Sequence, residues 1–191
     1  MDSNQMIDFI YSNRILQLGT VVLKSGEYSD HFYNFGRVDS TRALCQLSGW
    51  LVDLVEGVDF NCVFTSPYKG IVLQTGFVLE YQKRFPEKEI KFGYQRKDFK
   101  FHGETGDIVG YNPKPNDRVL LIDDAITTGF SIIEMVTFVK NNGATPILVI
   151  VPMLRAEDKD FLKLKLKINV PVKYLLHDRD VVKSYGVRAY S

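Results

Sequence analysis

The feature that most constrains the fold is a run of four apolar residues that ends in two acids. Residues 119–122 (Val-Leu-Leu-Ile) follow a single arginine and lead directly into Asp123, Asp124 and then a Thr-Thr-Gly turn. A strand without polar alternation is typical of a parallel sheet that is covered on both faces. The run therefore predicts an α/β fold whose central strand carries two carboxylates at its carboxyl end.

The rest of the chain alternates between strand and helix patterns. We expect strands at 20–23, 32–35, 62–65, 90–94, 118–122, 147–151 and 172–176, and helices at the N-terminus and at 41–55, 71–83, 131–142, 156–167 and 178–185. The polar segment 96–108 is predicted to be a long loop. Such alternation indicates a parallel-stranded sheet flanked by helices. No linker divides the chain, so residues 1–191 are predicted to form a single domain.

Charge and composition argue against several classes of protein. The chain has 24 Lys+Arg and 23 Asp+Glu, a formal net charge of +1, whereas nucleic-acid binders carry a basic excess. No apolar run reaches the roughly 20 residues of a membrane span, and the first residues lack the pattern of a secretory signal. Cys45 and Cys62 lie in apolar stretches, so we expect core positions and no disulfide framework. A cytoplasmic protein with neither nucleic acid nor membrane as partner is expected.

The segment 123–129 is the strongest candidate for a binding site. Ligands of open α/β sheets bind at the carboxyl ends of the strands. The backbone of the turn, the hydroxyls of Thr127 and Thr128 and the dipole of the following helix suit a phosphate dianion, and the two acids can accept hydrogen bonds from sugar hydroxyls. Together they predict a ribose 5-phosphate site. The alternative is a helix cap by Asp124 or Thr127, which leaves the second acid at the end of an apolar strand unexplained.

A basic segment is the second candidate. Arg96, Lys97, Lys100 and His102 lie within seven positions and precede a Gly-Glu-Thr-Gly stretch. Cations beside glycines suit a mobile flap that closes over a polyanion such as diphosphate. A solvated surface loop is the alternative, and for a charge run alone it is the commoner outcome.

Single residues at other strand ends give weaker signals. Lys69 precedes a glycine after a predicted strand, and a plain turn explains it equally well. Arg155 ends a buried strand, so it either pairs with a nearby acid or binds an anionic substrate. His31 and His177 are expected to be structural or exposed. The motifs of P-loop, dinucleotide-binding, serine hydrolase and zinc peptidase sites are missing from the sequence.

Four segments together resemble one enzyme family. Residues 119–129 resemble the diphosphoribosyl-binding motif of type I phosphoribosyltransferases. Lys-Ser-Gly at 24–26 with Phe-Tyr-Asn at 32–34, Tyr-Lys-Gly at 68–70, and Arg-Lys…Lys…His-Gly-Glu at 96–104 are similar to segments of the orotate phosphoribosyltransferase family, and they occur in family order. Asp30 and His31 differ from the family pattern, since many members have Pro-Tyr there.

The resemblance implies a type I phosphoribosyltransferase fold with a small N-terminal hood. It implies a glycosyltransferase of pyrimidine (UMP) biosynthesis that joins orotate to 5-phosphoribosyl 1-diphosphate, giving orotidine 5′-phosphate and diphosphate. The expected cofactor is Mg²⁺, held mainly by the substrate diphosphate and without direct protein ligands. The expected assembly is a homodimer whose flap is shared between subunits.

The resemblance also assigns roles to residues. The residues implied for the phosphoribosyl donor are Lys24, Tyr68, Lys69, Arg96, Lys97, Lys100, His102, Asp123, Asp124, Ala125, Ile126, Thr127, Thr128 and Gly129. Those implied for orotate are Phe32, Tyr33, Thr127 and Arg155. Lys100 and Asp124 are the expected catalytic residues, and loss of Lys100 is expected to reduce turnover most.

Two alternatives stay open at this point. One is another type I enzyme that acts on a purine or on uracil, for which Arg155 would lack a carboxylate to bind. The other is a non-catalytic regulator that binds 5-phosphoribosyl 1-diphosphate. Such regulators usually lose the flap residues or add a DNA-binding segment, and the sequence indicates neither change.

Overall fold

The computed structural model describes residues 2–22, 28–100 and 106–185, without the side chains of residues 21, 22, 98–100, 106 and 185. Strands alternate with helices along most of these residues. The strands are β1 Leu16–Val22, β2 Tyr28–Tyr33, β3 Cys62–Thr65, β4 Lys91–Lys100, β5 Gly106–Gly110, β6 Arg118–Ile122, β7 Ala125–Ile126, β8 Thr145–Leu154 and β9 Val172–His177. The helices are α1 Ser3–Ser12, α2 Thr41–Asp53, α3 Lys69–Arg84, α4 Phe130–Asn141, α5 Asp158–Ile168 and α6 Asp178–Tyr185, with a short 3-10 helix at Phe35–Arg37.

The central sheet is mostly parallel. Its order is β5-β4-β3-β6-β8, with β9 on the far side of β8 and β7 pairing with β8 beyond the end of β6. Among the described strands of this sheet, only β5 runs antiparallel to its neighbour. Thr65 at the end of β3 is in register with Tyr94 of β4 and with Ile122 at the end of β6. The segments that follow β3 and β6 therefore leave the sheet at one edge.

Strand β6 is buried on both faces. Leu120 and Ile122 pack into the core beneath α1, α2 and α3, whereas Val119 and Leu121 pack into the core beneath α4 and α5. Successive side chains of a strand point to opposite faces, so a strand between two helical layers must be apolar at every position. The predicted α/β fold with a helix-flanked parallel sheet is confirmed.

The hood consists of β1 and β2, which pair antiparallel with each other in a separate sheet. Tyr33 and Ile15 of this region belong to the core beneath α1–α3. The predicted strand 32–35 is wrong at its end, because Phe35 begins the 3-10 helix. The side chain of Asn34 accepts a hydrogen bond from the Gly36 N–H and turns the backbone there.

Two further predictions are corrected by the structure. The segment 96–108 is not one long loop, since β4 continues to Lys100 and pairs with β5. β5 is the edge strand, and the part of β4 from residue 95 onward pairs only with β5. Backbone pairing rather than apolar burial fixes the conformation there, and the hydrophobic pattern is therefore weak. Cys62 is buried as expected, but Cys45 is exposed. In the described part of the chain, no helix has the length and apolar character needed to cross a membrane.

Candidate active site

Side chains from three elements meet at the carboxyl edge of the sheet. Lys69, the first residue of α3, places its Nζ 3.2 Å from Oδ2 of Asp124, which follows β6. The same Nζ lies 4.8 Å from the centre of the Phe32 ring on β2. Three residues predicted from the sequence are thus neighbours, and a cation lies between a carboxylate and an aromatic face.

The carboxylate of Asp123 is buried at 5% exposure. Its Oδ2 accepts a hydrogen bond of 2.7 Å from Ser131 Oγ, and its Oδ1 accepts one of 2.9 Å from the Asp124 N–H. Burial and the adjacent Asp124 charge raise the pKa of Asp123, and the two hydrogen bonds oppose that rise. Asp124 remains partly exposed, so the two acids differ in environment although they are neighbours in sequence.

The turn after these acids leads directly into helix α4. Thr127 and Thr128 are exposed, while Ile126 is fully buried and offers only its backbone. Gly129 precedes the first helical residue with a φ of 74°, and no described side chain caps the helix there. The first N–H groups of a helix have no intrahelical partner, so they and the helix dipole are available to an anion. The capping alternative for Asp124 and Thr127 is therefore wrong.

Arg155 lies beside this turn. Its backbone N–H donates to Ile126 O at 2.8 Å, and its guanidinium donates from Nη2 to Ser29 Oγ of the hood. Arg155 lines a cavity of about 600 Å³ together with Thr127 and Thr128. The rest of the cavity is lined by Ile133 and by residues of the segment 156–167, whereas Lys69, Phe32 and the two acids lie outside its lining. Arg155, a cation suited to a carboxylate, thus lies beside the turn that follows the two acids.

The two aromatic residues of β2 have different surroundings. Tyr33 is 2% exposed, and its hydroxyl donates to Asp178 Oδ1 at 2.6 Å. Phe32 is half-buried and lies under the Lys69 ammonium. Neighbouring residues of a strand point to opposite faces, so Phe32 faces the site and Tyr33 supports it from inside the hood.

The basic segment lies on β4. Arg96 and Lys97 belong to this strand, and Lys100 is its last residue, with only its backbone described. Lys100 comes six positions after Tyr94, which marks the carboxyl edge of the sheet, but the register between β4 and β5 is irregular between Gln95 and Lys100. Tyr94 pairs with Val109 and Lys100 with Gly106, so at about 3.3 Å per residue of β5 Lys100 lies about 10 Å beyond that edge. Lys24 and His102 lie outside the described residues. Tyr68 is exposed just before α3, and the Pro67–Tyr68 peptide bond is cis.

Two curated proteins are similar to this chain over most of its length. An orotate phosphoribosyltransferase of Ruthia magnifica subsp. Calyptogena magnifica is 39% identical over 153 residues, which are 79% of this chain and 71% of that relative. The chain belongs to the orotate phosphoribosyltransferase family. A second orotate phosphoribosyltransferase, from Stenotrophomonas maltophilia (strain K279a), is 36% identical over 144 residues, 74% of this chain and 64% of the relative.

A solved structure extends the likeness to the fold. The crystal structure of orotate phosphoribosyltransferase from Francisella tularensis has a TM-score of 0.74 and 26% identity to this chain, covering 96% of this chain and 91% of that one. No model of a known protein family matches the chain. The chain spans about two thirds of the length of the two curated orotate phosphoribosyltransferases.

Three residues that contact the site are not predicted from the sequence. Ser29 contacts Arg155, Ser131 contacts Asp123, and Asp178 contacts Tyr33. Ser131 carries the one available signal, because it lies in the first turn of the helix that follows the two acids. Ser29 and Asp178 have their partners more than 120 positions away in the chain, so no local pattern of an orotate phosphoribosyltransferase identifies them.

Proposed function

We propose that this protein transfers the phosphoribosyl group of 5-phosphoribosyl 1-diphosphate to orotate, giving orotidine 5′-phosphate and diphosphate. The observation that carries the proposal is the position of Arg155, whose backbone N–H bonds to Ile126 O of the turn at 2.8 Å and whose guanidinium contacts Ser29 on the strand of Phe32. A guanidinium can bind a carboxylate through two hydrogen bonds, and orotate is a pyrimidine that carries one. Uracil or a purine would leave this arginine without an anionic partner.

Each part of the donor has a matching group in the proposed complex. The 5-phosphate would bind the backbone N–H groups of 125–129 at the start of α4. The ribose hydroxyls would donate to Asp123 and Asp124. The diphosphate would contact Lys69, and in addition Lys24, Tyr68, Arg96, Lys97, Lys100 and His102. Orotate would lie against Phe32, with its carboxylate on Arg155.

The reaction breaks the bond between C1 of the ribose and the diphosphate oxygen, and a ring nitrogen of the base forms a new bond to C1 and loses its proton. Positive charge builds on the ribose ring and negative charge on the leaving group. Asp124 would stabilise the first and Lys69 the second, and their side chains are 3.2 Å apart. No covalent nucleophile is required, and a closed flap would exclude water that hydrolyses the sugar cation.

Mg²⁺ is the proposed cofactor. It prefers oxygen ligands and commonly binds one or two carboxylates together with substrate phosphates and water. The described residues contain no group of three His, Cys, Asp or Glu side chains that could hold a metal ion. The half-buried carboxylate of Asp124 fits a single protein contact, so the diphosphate would supply most of the ligands. The ion would neutralise charge on the leaving diphosphate.

A homodimer is the proposed assembly, with the basic segment of each subunit serving its partner's site. The position of β4 supports this, because β3 lies between β4 and β6 and the basic segment pairs with β5, the outermost described strand on that side of the sheet. Val72 and Leu79 on α3 and Phe92 on β4 are exposed apolar residues that a second copy could cover. Light scattering is expected to give the mass of two chains.

We also propose a single domain over residues 1–191 and a cytoplasmic location. The described strands β3–β9 share one sheet with a core on each face, which supports the first. Cys45 and Cys62 are both free, which supports a reducing compartment.

The deciding experiment is an assay of the purified protein with orotate, 5-phosphoribosyl 1-diphosphate and Mg²⁺. Orotate is expected to disappear as orotidine 5′-phosphate and diphosphate form in equal amounts. Parallel reactions with uracil and hypoxanthine serve as controls. Turnover of either base without loss of orotate would assign the protein to another type I activity, and no turnover of any base would favour the regulator.

Replacement of Asp124 with asparagine is expected to lower kcat about tenfold, or about 1.4 kcal/mol of transition-state stabilisation. The change also removes the charge that disfavours ionisation of Asp123, so the pKa of Asp123 falls. Because protonation of Asp123 weakens donor binding as pH falls through its raised pKa, the acid limb of the pH profile of kcat/KM should move to lower pH.

The matched control for this variant is Asp53→Asn, which removes an exposed carboxylate that pairs with Arg84 far from the site. Its kcat and acid limb should equal those of the wild type. An Asp124→Asn enzyme whose acid limb stays in place would contradict the assigned coupling between the two acids.

A further inference from the structure

One carboxylate of α6 contacts two residues of the hood. Asp178, the first residue of α6, accepts a hydrogen bond from Tyr33 Oη at 2.6 Å on its Oδ1. His31 Nε2 lies 2.8 Å from the same oxygen. Both hood residues are buried on β2, where His31 and Tyr33 lie two positions apart on the same face of the strand. A single oxygen of α6 therefore holds two positions of β2.

The contacts of His31 require its charged form. Its Nδ1 lies 2.6 Å from Asp30 Oδ1 and its Nε2 lies 2.8 Å from Asp178 Oδ1. Carboxylate oxygens only accept, so both ring nitrogens must donate, which a neutral imidazole cannot do. The hydrogen bond to Asp178 raises the pKa of His31 from its usual 6.5, burial opposes the rise, and Asp30 adds to it.

The same strand carries the residues that face the base. Ser29 Oγ accepts from Arg155 and donates to His31 O at 2.8 Å, so Arg155 is tied to the backbone beside His31. Phe32 follows His31 on the same strand, and its ring lies under the ammonium of Lys69. A shift of β2 would therefore move Phe32 and the support of Arg155 together.

We propose that Asp178 is a positioning residue for the base. Acting through protonated His31 and through Tyr33, it holds β2 where Phe32 meets Lys69 and Ser29 meets Arg155. This inference rests on the proposed function, since it assumes that orotate binds between these residues.

The contact between His31 and Asp178 depends on pH in a defined direction. The charged or titratable groups that face His31 are Asp30 from its own strand, Asp178 from α6, Arg155 from the segment after β8, and Tyr33 beside it. When pH rises through the raised pKa of His31, one ring nitrogen loses its proton and then turns a lone pair toward a carboxylate. The contact is present at lower pH and is lost on the alkaline side, so the KM of orotate should rise there.

The test is Asp178→Asn, which keeps an acceptor oxygen and removes the charge. At pH 7 the KM of orotate is expected to rise about tenfold, with kcat and the KM of the donor changed by less than about twofold. The alkaline rise in orotate KM should move to lower pH, and an NMR titration should give a lower pKa for the His31 ring. Asp180→Asn, in the same first turn of α6, is the matched control and should equal the wild type.

Two outcomes overturn the inference alone, given a wild type that turns over orotate. One is an unchanged orotate KM in folded Asp178→Asn protein, and the other is an equal rise in the KM of both substrates, which a general structural role would produce. If Asp178→Asn protein does not fold, Tyr33→Phe decides. Tyr33→Phe removes the hydrogen bond to Asp178 and keeps the ion pair between His31 and Asp178. It should therefore raise the KM of orotate less than Asp178→Asn does and leave the pH dependence of that KM unchanged. A shifted pH dependence in Tyr33→Phe would contradict the inference. A wild type without orotate turnover overturns the proposed function and this inference with it.

Discussion

Replacement of Lys100 with alanine is expected to lower kcat about 1000-fold while the KM of orotate stays within about threefold of the wild type. Negative charge develops on the leaving diphosphate only as the bond to C1 breaks. A cation that meets this charge stabilises the transition state more than the bound substrate, so its loss lowers kcat rather than affinity. Steady-state kinetics with both substrates varied measure the effect.

Lys91→Ala is the matched control for this variant. Lys91 lies at the other end of β4 and pairs with Glu89 at the surface, so its loss should leave kcat unchanged. A Lys100→Ala enzyme with the turnover of the wild type would contradict the role of the basic segment in catalysis.

Co-expression of two inactive variants tests which subunit supplies Lys100 to each active site. In a shared site, a Lys100→Ala chain would supply an intact Gly129 turn and receive an intact Lys100 from a Gly129→Ala partner. If the two variants pair at random, half of the dimers contain one chain of each kind. Each of these mixed dimers has one intact site and one defective site, so co-expressed chains should recover about one quarter of the wild-type activity. If each subunit used its own Lys100, co-expression would restore nothing.

Replacement of Gly129 with alanine has the second-largest expected effect. The backbone there has a φ of 74°, a region that costs a residue with a Cβ about 1–2 kcal/mol. The added Cβ would lie 2.6 and 2.7 Å from the two terminal methyls of Leu164, which is buried on α5. We expect a total loss of about 2–4 kcal/mol in the free energy of unfolding.

The displaced turn should also bind the 5-phosphate poorly. We expect kcat/KM for the donor to fall about 100-fold, because a shift of about 1 Å in a positioned group has effects of that size. Thermal or urea unfolding measures the loss of stability, and initial rates at low donor concentration measure the loss of kcat/KM.

Two variants separate backbone strain from crowding. Gly57 has a φ of 72° and nothing within 4 Å of a built Cβ, so Gly57→Ala should show the strain alone and keep full activity. Adding Leu164→Ala to Gly129→Ala removes the crowded methyls and should restore part of the donor affinity. Equal stability of the Gly57→Ala and Gly129→Ala proteins would contradict the crowding by Leu164.

The parts of the fold that could be predicted are those with local causes. The apolar run of β6 and the Asp-Asp and Thr-Thr-Gly pattern after it depend on neighbouring residues only, so the sequence predicts both the central strand and the turn that leads into α4. The pairing of β4 with β5 is not predicted, because it is held by backbone hydrogen bonds at the side of the sheet, which leave little trace in side-chain periodicity.

The polar contacts of the hood lay beyond prediction for a different reason. The sequence predicts a structural or an exposed His31, and the structure shows it buried against Asp178, 147 positions away. For Arg155 the sequence allows either an acid or an anionic substrate as partner, and the structure shows a hydrogen bond to Ser29, 126 positions away. Such pairs depend on how β2, β8 and α6 meet in space, which no local spacing encodes.

The separation of the hood from the central sheet means that the two substrates would be held by parts of unequal rigidity. The turn proposed to bind the 5-phosphate continues from β6 in the middle of the core. In the described part of the hood, by contrast, β1 and β2 form a sheet of two strands, and a hairpin of two strands has little stability of its own. The apparent affinity for the base would then include the fraction of molecules whose hood is ordered. Preference among bases could therefore change during evolution through hood residues, while recognition of the phosphoribosyl group stayed the same.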